Sequence, residues 1–334
     1  MAGCGGRSHS HFETLAAHPG DWQVIGLADP SAENRAKVNA RFPAFAAAGP
    51  VGEFDGLSAA LAAQRPDVVF VCAASSLHYP LCQEAIASGC DVICEKPLTF
   101  SVAEAGDLAK RAGRAGRRIF VTQNYRFYPA VEALSAAVQG GRLGRVGAFS
   151  IQFHRRRDPI AAYSLEEPAP LLWIQTIHHL DTLRAVFGEV DSLAATLTNP
   201  AWSPYQHETV ARVTFRMQSG VVGSYEGSYR AFGRQTPYDG EWRVECERGD
   251  LLLYRGFPGL VEEKLPDEAT RRHATEVTPL AIAPGDAQVK MIGAIAAALR
   301  SGAPFATEVA DNLKTLKLVD AILQSARKRS VVKL

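Results

Sequence analysis

A chain of 334 residues, 47% of them hydrophobic, is long enough for two domains and can bury ample core. Its formal net charge of +1 gives no electrostatic case for nucleic acid or an anionic membrane surface. No apolar run approaches the ~20 residues that span a bilayer, and no apolar signal segment is readable at the N-terminus, so a cytoplasmic protein is expected.

In chain order, the first ~125 residues alternate between strand and helix patterns. Residues 22–29, WQVIGLAD, read as a strand, and 31–42 as a helix with Ser31 as its cap. A poorer segment, VGEF, leads into 57–64. Then come strand 67–73, helix 77–88, strand 91–94, helix 101–116 and strand 117–124. The strands are almost uniformly apolar, which predicts a parallel sheet covered on both faces. After residue 125 the texture changes. A helix near 129–139 ends at Gly140-Gly141, and 146–154 alternates apolar and polar positions. Residues 171–187 read as helix. Segments 191–198, 209–217, 221–228, 241–247 and 250–255 read as strands with short Gly turns, which predicts a large, mostly antiparallel sheet. Helices near 286–300 and 307–327 close the chain. The expected division is a dinucleotide-binding domain over 1–124 and an α/β domain over 125–334.

Six cysteines (Cys4, Cys72, Cys82, Cys90, Cys94 and Cys246) form no C-x-x-C pair and several sit in apolar strands, which predicts buried, reduced thiols. The run Arg155-Arg156-Arg157 reads as a solvated strand end or as a contact for a carboxylate or phosphate.

Residues 3–8 read Gly-Cys-Gly-Gly-Arg-Ser, a G-x-G-x-x-S loop before a plausible helix. Such a loop lets backbone N–H groups approach a pyrophosphate at a helix N-terminus. Asp29 ends the next strand, some 24 residues after Gly5. An acid at that offset hydrogen-bonds a ribose 2′-OH and disfavours a 2′-phosphate, hence NAD over NADP. The alternative for Asp29 is a turn or cap residue before Pro30. A strand should precede the fingerprint, and only Met1 and Ala2 do. The reading therefore takes the first strand as truncated and expects ~6–8 strand residues upstream.

Strand 91–94 stops at Glu95-Lys96-Pro97, which puts an acid, an amine and a proline at a strand's carboxyl end, where open parallel sheets bind ligands. A lysine there either points at solvent or has a partner or a task. Within helix 171–187, Ile174, His178 and Asp181 share a face at 3.6 residues per turn, while His179 points elsewhere. His178 on that face can be a general base held by Asp181, or a hydrogen-bonded structural histidine. A metal site from His178, His179 and Asp181 is disfavoured, since adjacent helical histidines diverge by about 100°; no metal is expected.

Together these residues resemble the Gfo/Idh/MocA oxidoreductase family over nearly the whole chain. The resemblance rests on GCGGRS at 3–8, Asp29, the segment ending in Leu77-His78, Glu95-Lys96-Pro97, NYRFYP at 124–129, GRLGRV at 141–146, QTIHHLD at 175–181, SGVVGS at 219–224 and the closing segment from SGAPF to SVVKL. It implies an N-terminal Rossmann domain carrying NAD or, less readily, NADP, and a C-terminal α+β domain that often faces an oligomer partner in a dimer or tetramer. It implies transfer of hydride between a secondary alcohol of a sugar, inositol or related polyol and the nicotinamide. By position, Lys96 looks like the lysine at the substrate hydroxyl and His178 like the catalytic histidine. Gly3, Gly5, Gly6, Arg7, Ser8, Asp29, Ser75, Leu77, His78, Glu95, Lys96 and Asn124 would hold the cofactor, and Lys96, Arg126, Gln175 and His178 the substrate. Pro97 would follow a cis bond. Many members carry an Asp four residues before this histidine, where this chain has Ile174. Two other readings stay open: a non-catalytic nucleotide-binding or regulatory protein on the same fold, and a cofactor-retaining lyase or glycosidase. Residues 154–170 are expected as a specificity loop.

Overall fold

Short runs of valine, isoleucine and phenylalanine are apolar on both sides of the backbone, so they are stable as strands only where helices cover both faces. In the computed structural model, which describes residues 1–47, 49–158, 165–262 and 277–334, those runs become β1 (Gly26–Ala28), β2 (Gly52–Phe54), β3 (Val68–Val71), β4 (Asp91–Cys94) and β5 (Ile119–Val121), all paired in parallel. The intervening helices are α1 (Gly6–Ala16), α2 (Ala32–Arg41), α3 (Pro43–Ala47), α4 (Leu57–Ala63), α5 (His78–Ala87) and α6 (Val102–Ala115). Ser31 caps α2 by accepting the Asn34 amide, and Ser101 caps α6 by accepting that of Glu104.

The chain divides into two units, Met1–Asn124 with Asp286–Leu316, and Tyr125–Gly285 with Lys317–Leu334. Residues 286–316 fall in the first unit because they complete its core. Helix α9 (Ala287–Ser301) packs on α1, the ring of Phe305 lies 5.6 Å from that of Phe120, and the Thr307 hydroxyl donates to Val121 O at 2.8 Å. Helix α10 (Val309–Lys328) divides its residues between both units.

Strands β1 and β3 are joined by residues 1–3. Ala2 pairs in parallel with Ala28 on one side and Val71 on the other. Its amide donates to Phe70 O at 2.7 Å, and Gly3 N donates to Ala28 O at 2.8 Å. Alongside Met1 the two strand edges border a cavity of about 550 Å³, lined among others by Val24, Ile25, Val68, Val69 and Leu57. This explains why the strand expected over 22–29 shortens to three residues: Val24 and Ile25 face the cavity, and the register with β2 begins at Gly26.

In the second unit, β6 (Val146–His154), β7 (Val190–Thr198), β8 (Val210–Met217), β9 (Val222–Ser228), β10 (Glu241–Cys246), β11 (Gly249–Tyr254), β12 (Phe257–Glu262), β13 (Thr278–Pro279) and β14 (Val332–Lys333) form one sheet in the order β13-β12-β11-β10-β6-β9-β8-β7-β14. Among the described residues every pairing is antiparallel except β6 with β9. Burial alternates strictly along β8 from Ala211 to Met217, as a sheet with one covered face requires. Helix α7 (Pro129–Gln139) packs on α8 (Ile177–Phe187). Nearly all of α8 is buried, which is why the sequence shows no clean apolar stripe there. All six cysteines are free, and five are buried. Among the described residues no helix is long and apolar enough to cross a membrane.

The cavity beside Met1 gives a stability test. Five or six apolar, β-branched residues appended ahead of Met1 would continue the ladder between the two edges and occupy a cavity lined by Val24, Val68 and Val69 beside Gln64 and Asp67. The expected result is a melting temperature higher by ~5 °C or more, with no rise for a Gly/Ser extension of equal length. Equal effects of the two extensions would show that the cavity accepts no strand.

Candidate active site

In the first unit, polar groups gather at the carboxyl ends of the parallel strands. Gly3 has φ +95°, and a Cβ there would sit 2.6 Å from the backbone of Cys72 and Ala73. The loop thus lies against the end of β3 in a way only glycine allows. At Gly5 and Gly6 a Cβ would meet nothing within 4 Å, and no side chain caps α1. The helix therefore presents unshielded backbone amides and the positive end of its dipole to open space. Ser8 does not share that space. It is fully buried, and its hydroxyl donates to Gly5 O at 2.7 Å, which braces the loop from beneath.

Asp29 is placed just after β1 and makes the turn contact that its position before Pro30 allows. Its Oδ2 accepts the Cys4 amide at 2.7 Å, and its Oδ1 accepts the Ser31 amide at 2.8 Å and the Asn34 side chain at 3.4 Å. It therefore ties the glycine loop to the start of α2.

Glu95 follows β4 and is nearly buried. Its Oε1 accepts from Arg7 Nε at 2.9 Å and from His11 Nε2 at 2.5 Å, and its Oε2 accepts the Lys96 amide at 3.0 Å. Burial alone would push this carboxyl up. The His11 hydrogen bond and the charges of His11, Arg7 and Lys96 outweigh burial and hold it well below the usual carboxylate range. The Lys96–Pro97 bond is cis. His78, at the start of α5, lies between Pro97 O at 2.8 Å and Ala73 O at 3.1 Å, so one ring links the chain after β3 to the chain after β4. Burial lowers its pKa. Ser75 and Leu77 form a short turn ahead of it, with Leu77 half exposed, and Asn124 is buried just after β5.

The second unit holds a separate cluster around α8. The helix does not begin as the 3.6-residue pattern requires. Leu172–Thr176 is a π-helical turn, and α8 starts at Ile177. A π turn carries an extra residue, so Ile174 and His178 are not stacked one α-turn apart. The face expected from sequence is broken at that junction. Asp181 is paired with a guanidinium. Its carboxylate takes a two-pronged pair from Arg126, at 2.5 and 2.8 Å, and lies 4.0 Å from Arg184. Tyr125 stacks on the His178 ring at 4.1 Å between centroids and 8° between planes. The Tyr125 hydroxyl in turn accepts from Gln175, whose amide also donates to Tyr238 O at 2.8 Å.

His179 points away from His178, as the 100° step predicts. It is buried between the Tyr225 hydroxyl at 3.1 Å and Tyr238 O at 2.8 Å, and burial pushes its pKa down to about 4. Neutral at pH 7, it donates from Nε2 to the carbonyl and accepts at Nδ1. Sequence reasoning missed Tyr125, His11, Tyr225 and Asp239. Tyr125 lay inside NYRFYP; the others carried no motif. Each residue of the Arg155–Arg157 run covers an aromatic face, Tyr238, Phe232 and Tyr229 in turn. Of the expected specificity loop, residues 159–164 lie outside the described residues.

A covered parallel layer with a glycine loop at its strand ends defines a dinucleotide-binding unit, here in one chain with an α+β unit built on a large sheet. The chain belongs to the Gfo/Idh/MocA oxidoreductases. Residues 1–123 match the family model described as oxidoreductase family, NAD-binding Rossmann fold, and residues 131–252 match the GFO/IDH/MocA C-terminal domain. It is 28% identical to D-apiose dehydrogenase of Paraburkholderia graminis, over 100% of this chain and 88% of that protein. It is also 28% identical to inositol 2-dehydrogenase of Rhizobium meliloti, over 87% and 88%. An oxidoreductase from Agrobacterium radiobacter, solved with NAD+, L-tartaric acid and magnesium, shares the fold at a TM-score of 0.83 and 20% identity, over 99% of this chain and 96% of that one.

Asp239 supplies a pH test. Burial pushes its carboxyl up to about 6, above the ~3.9 of an unfolded chain. The ionised form therefore opposes folding: the contribution of this side chain is most favourable below about pH 4 and is lost as pH rises from about 4 to about 6. Asp239→Asn is expected to be more stable than the parent at pH 8 by about 1–3 kcal/mol, with the difference vanishing near pH 4. Denaturant titrations at the two pH values decide it; a difference independent of pH would rule out the buried charge as its cause.

Proposed function

We propose that the protein is an NAD-dependent dehydrogenase that oxidises a secondary alcohol of a sugar, inositol or related polyol. One observation carries the reading. The uncapped start of α1 at Gly5 and Gly6 opens on unfilled space, with Asp29 bonded to the same loop through Cys4. Backbone amides and a helix dipole suit a pyrophosphate, and a nearby carboxylate suits a ribose diol and repels a 2′-phosphate, so NAD is favoured over NADP. The residues present fit the cofactor: Gly3, Gly5, Gly6 and Arg7 at the diphosphate, Asp29 at the adenine ribose, Ser75, Leu77 and His78 along the nicotinamide half with Asn124, and Glu95 at its ribose. Ser8 serves by bracing the loop. Bound there, NAD supplies the hydride acceptor.

The chain's own groups handle the proton and the developing charge. The Lys96 ammonium donates to the substrate oxygen and stabilises negative charge on it. His178, its ring held flat against Tyr125, receives the hydroxyl proton. Gln175 is anchored by Tyr125 and Tyr238, and Arg126 is anchored by Asp181; both serve as the rim that orients the polyol. The relatives named for D-apiose and inositol support a polyol of that size. The same reading makes the protein a cytoplasmic homo-dimer or homo-tetramer.

A screen of sugars and inositols with NAD and NADP tests the reaction; NADH production on at least one polyol is expected, and no turnover with either nucleotide would end the proposal. Lys96→Ala and His178→Ala should lower kcat by about 10²–10⁴-fold while leaving NADH affinity, read from bound-nicotinamide fluorescence, within about threefold. Matching losses of affinity and turnover in both variants would contradict the assignment.

A further inference from the structure

The least economical residue in the first unit is His11. It lies in the second turn of α1 with no solvent exposure, and its ring packs at 4.5 Å from that of Phe70. One polar tie is visible, from Nε2 to Glu95 Oε1 at 2.5 Å. A carboxylate only accepts, so Nε2 carries a proton. Nδ1 is buried with no hydrogen-bond partner among the described residues. A buried nitrogen in that state is unfavourable, and a leucine or phenylalanine would fill the same space without it. A residue that is locally costly and surrounded by a well-packed core marks a site with another demand on it.

That demand falls on Glu95. Its Oε1 carries two donors, Arg7 and His11, and its Oε2 carries the Lys96 amide. The two donors on Oε1 set the plane of the carboxylate and leave a lone pair on Oε2 for a further donor. They are not equivalent anchors. Arg7 is half exposed on a long side chain, and exposed pairs contribute little. His11 is rigid, enclosed and set on a helix.

We propose that His11 is a positioning residue for Glu95: it fixes the carboxylate so that Oε2 accepts from a vicinal diol, the ribose next to the nicotinamide. This rests on the cofactor reading above and adds a residue to it. His11 touches neither cofactor nor substrate. Its effect passes wholly through the orientation of Glu95, so it belongs to coenzyme affinity rather than to polyol affinity.

The test compares His11→Gln, which keeps an N–H donor of similar reach, with His11→Met and His11→Phe, which lose it. NADH dissociation constants come from bound-nicotinamide fluorescence, KM for NAD and for the polyol from steady-state rates, and melting temperatures from the same preparations. Loss of the donor is expected to weaken NADH binding and raise KM for NAD about tenfold or more. KM for the polyol should stay within about twofold, and the Gln variant should recover most of the loss. Removing one donor from a buried carboxylate is also expected to lower the melting temperatures of His11→Met and His11→Phe below the parent's. Unchanged NADH affinity in the donor-less variants overturns the inference, as does equal loss in His11→Gln and His11→Met, or a loss confined to melting temperature. If His11→Phe does not fold, the Gln and Met pair decides alone. A parent protein that binds no NADH refutes the cofactor reading instead, so the two failures are distinguishable.

Discussion

A carboxylate removed from water at the end of a strand must be paired or it will not stay ionised, and Glu95 is the group around which the first unit's binding end is arranged. Its donors come from the glycine loop through Arg7, from α1 through His11 and from its own chain through the Lys96 amide. Each contact also fixes something else. Arg7 follows the uncapped helix start, the Lys96 amide precedes the amine given a role in turnover, and His78 binds the next residue, Pro97, back to the chain after β3. Loop, helix and two strand ends are thus held in register by a small set of polar contacts in a layer that is otherwise apolar.

The second unit solves a related problem differently. Its candidate histidine lies flat against an aromatic face. Tyr125 stacks on His178, and its hydroxyl is held by Gln175, which also holds Tyr238. Asp181, the acid that sequence spacing offered, pairs with Arg126. Stacking constrains the ring plane of the histidine.

Much of this was legible in the sequence. Strand–helix alternation and uniformly apolar strands gave the parallel layer, and period-two patterning gave the large sheet, because both signals report local burial. The glycine loop and the Glu95–Pro97 strand end were legible because their geometry demands particular residue types. What was not legible depended on distant contacts. The π turn at Leu172–Thr176 has no residue signature, and it displaced the face argument for His178. The partners of Glu95 and Asp181 lie 84 and 55 residues away in sequence. The return of residues 286–316 to the first unit rests on the Phe305 and Thr307 contacts with β5, which no periodicity reveals.

Asp29 has a consequence for redesign. The acid that would select between the two nicotinamide coenzymes is also the clasp between the Cys4 amide and the Ser31 amide. Replacing it with a small neutral residue to admit a 2′-phosphate would strand two backbone donors and unfasten the loop proposed to cradle the diphosphate. A switch of coenzyme preference in this scaffold therefore requires a neutral acceptor at position 29, with the new positive charge brought in from the neighbouring helix.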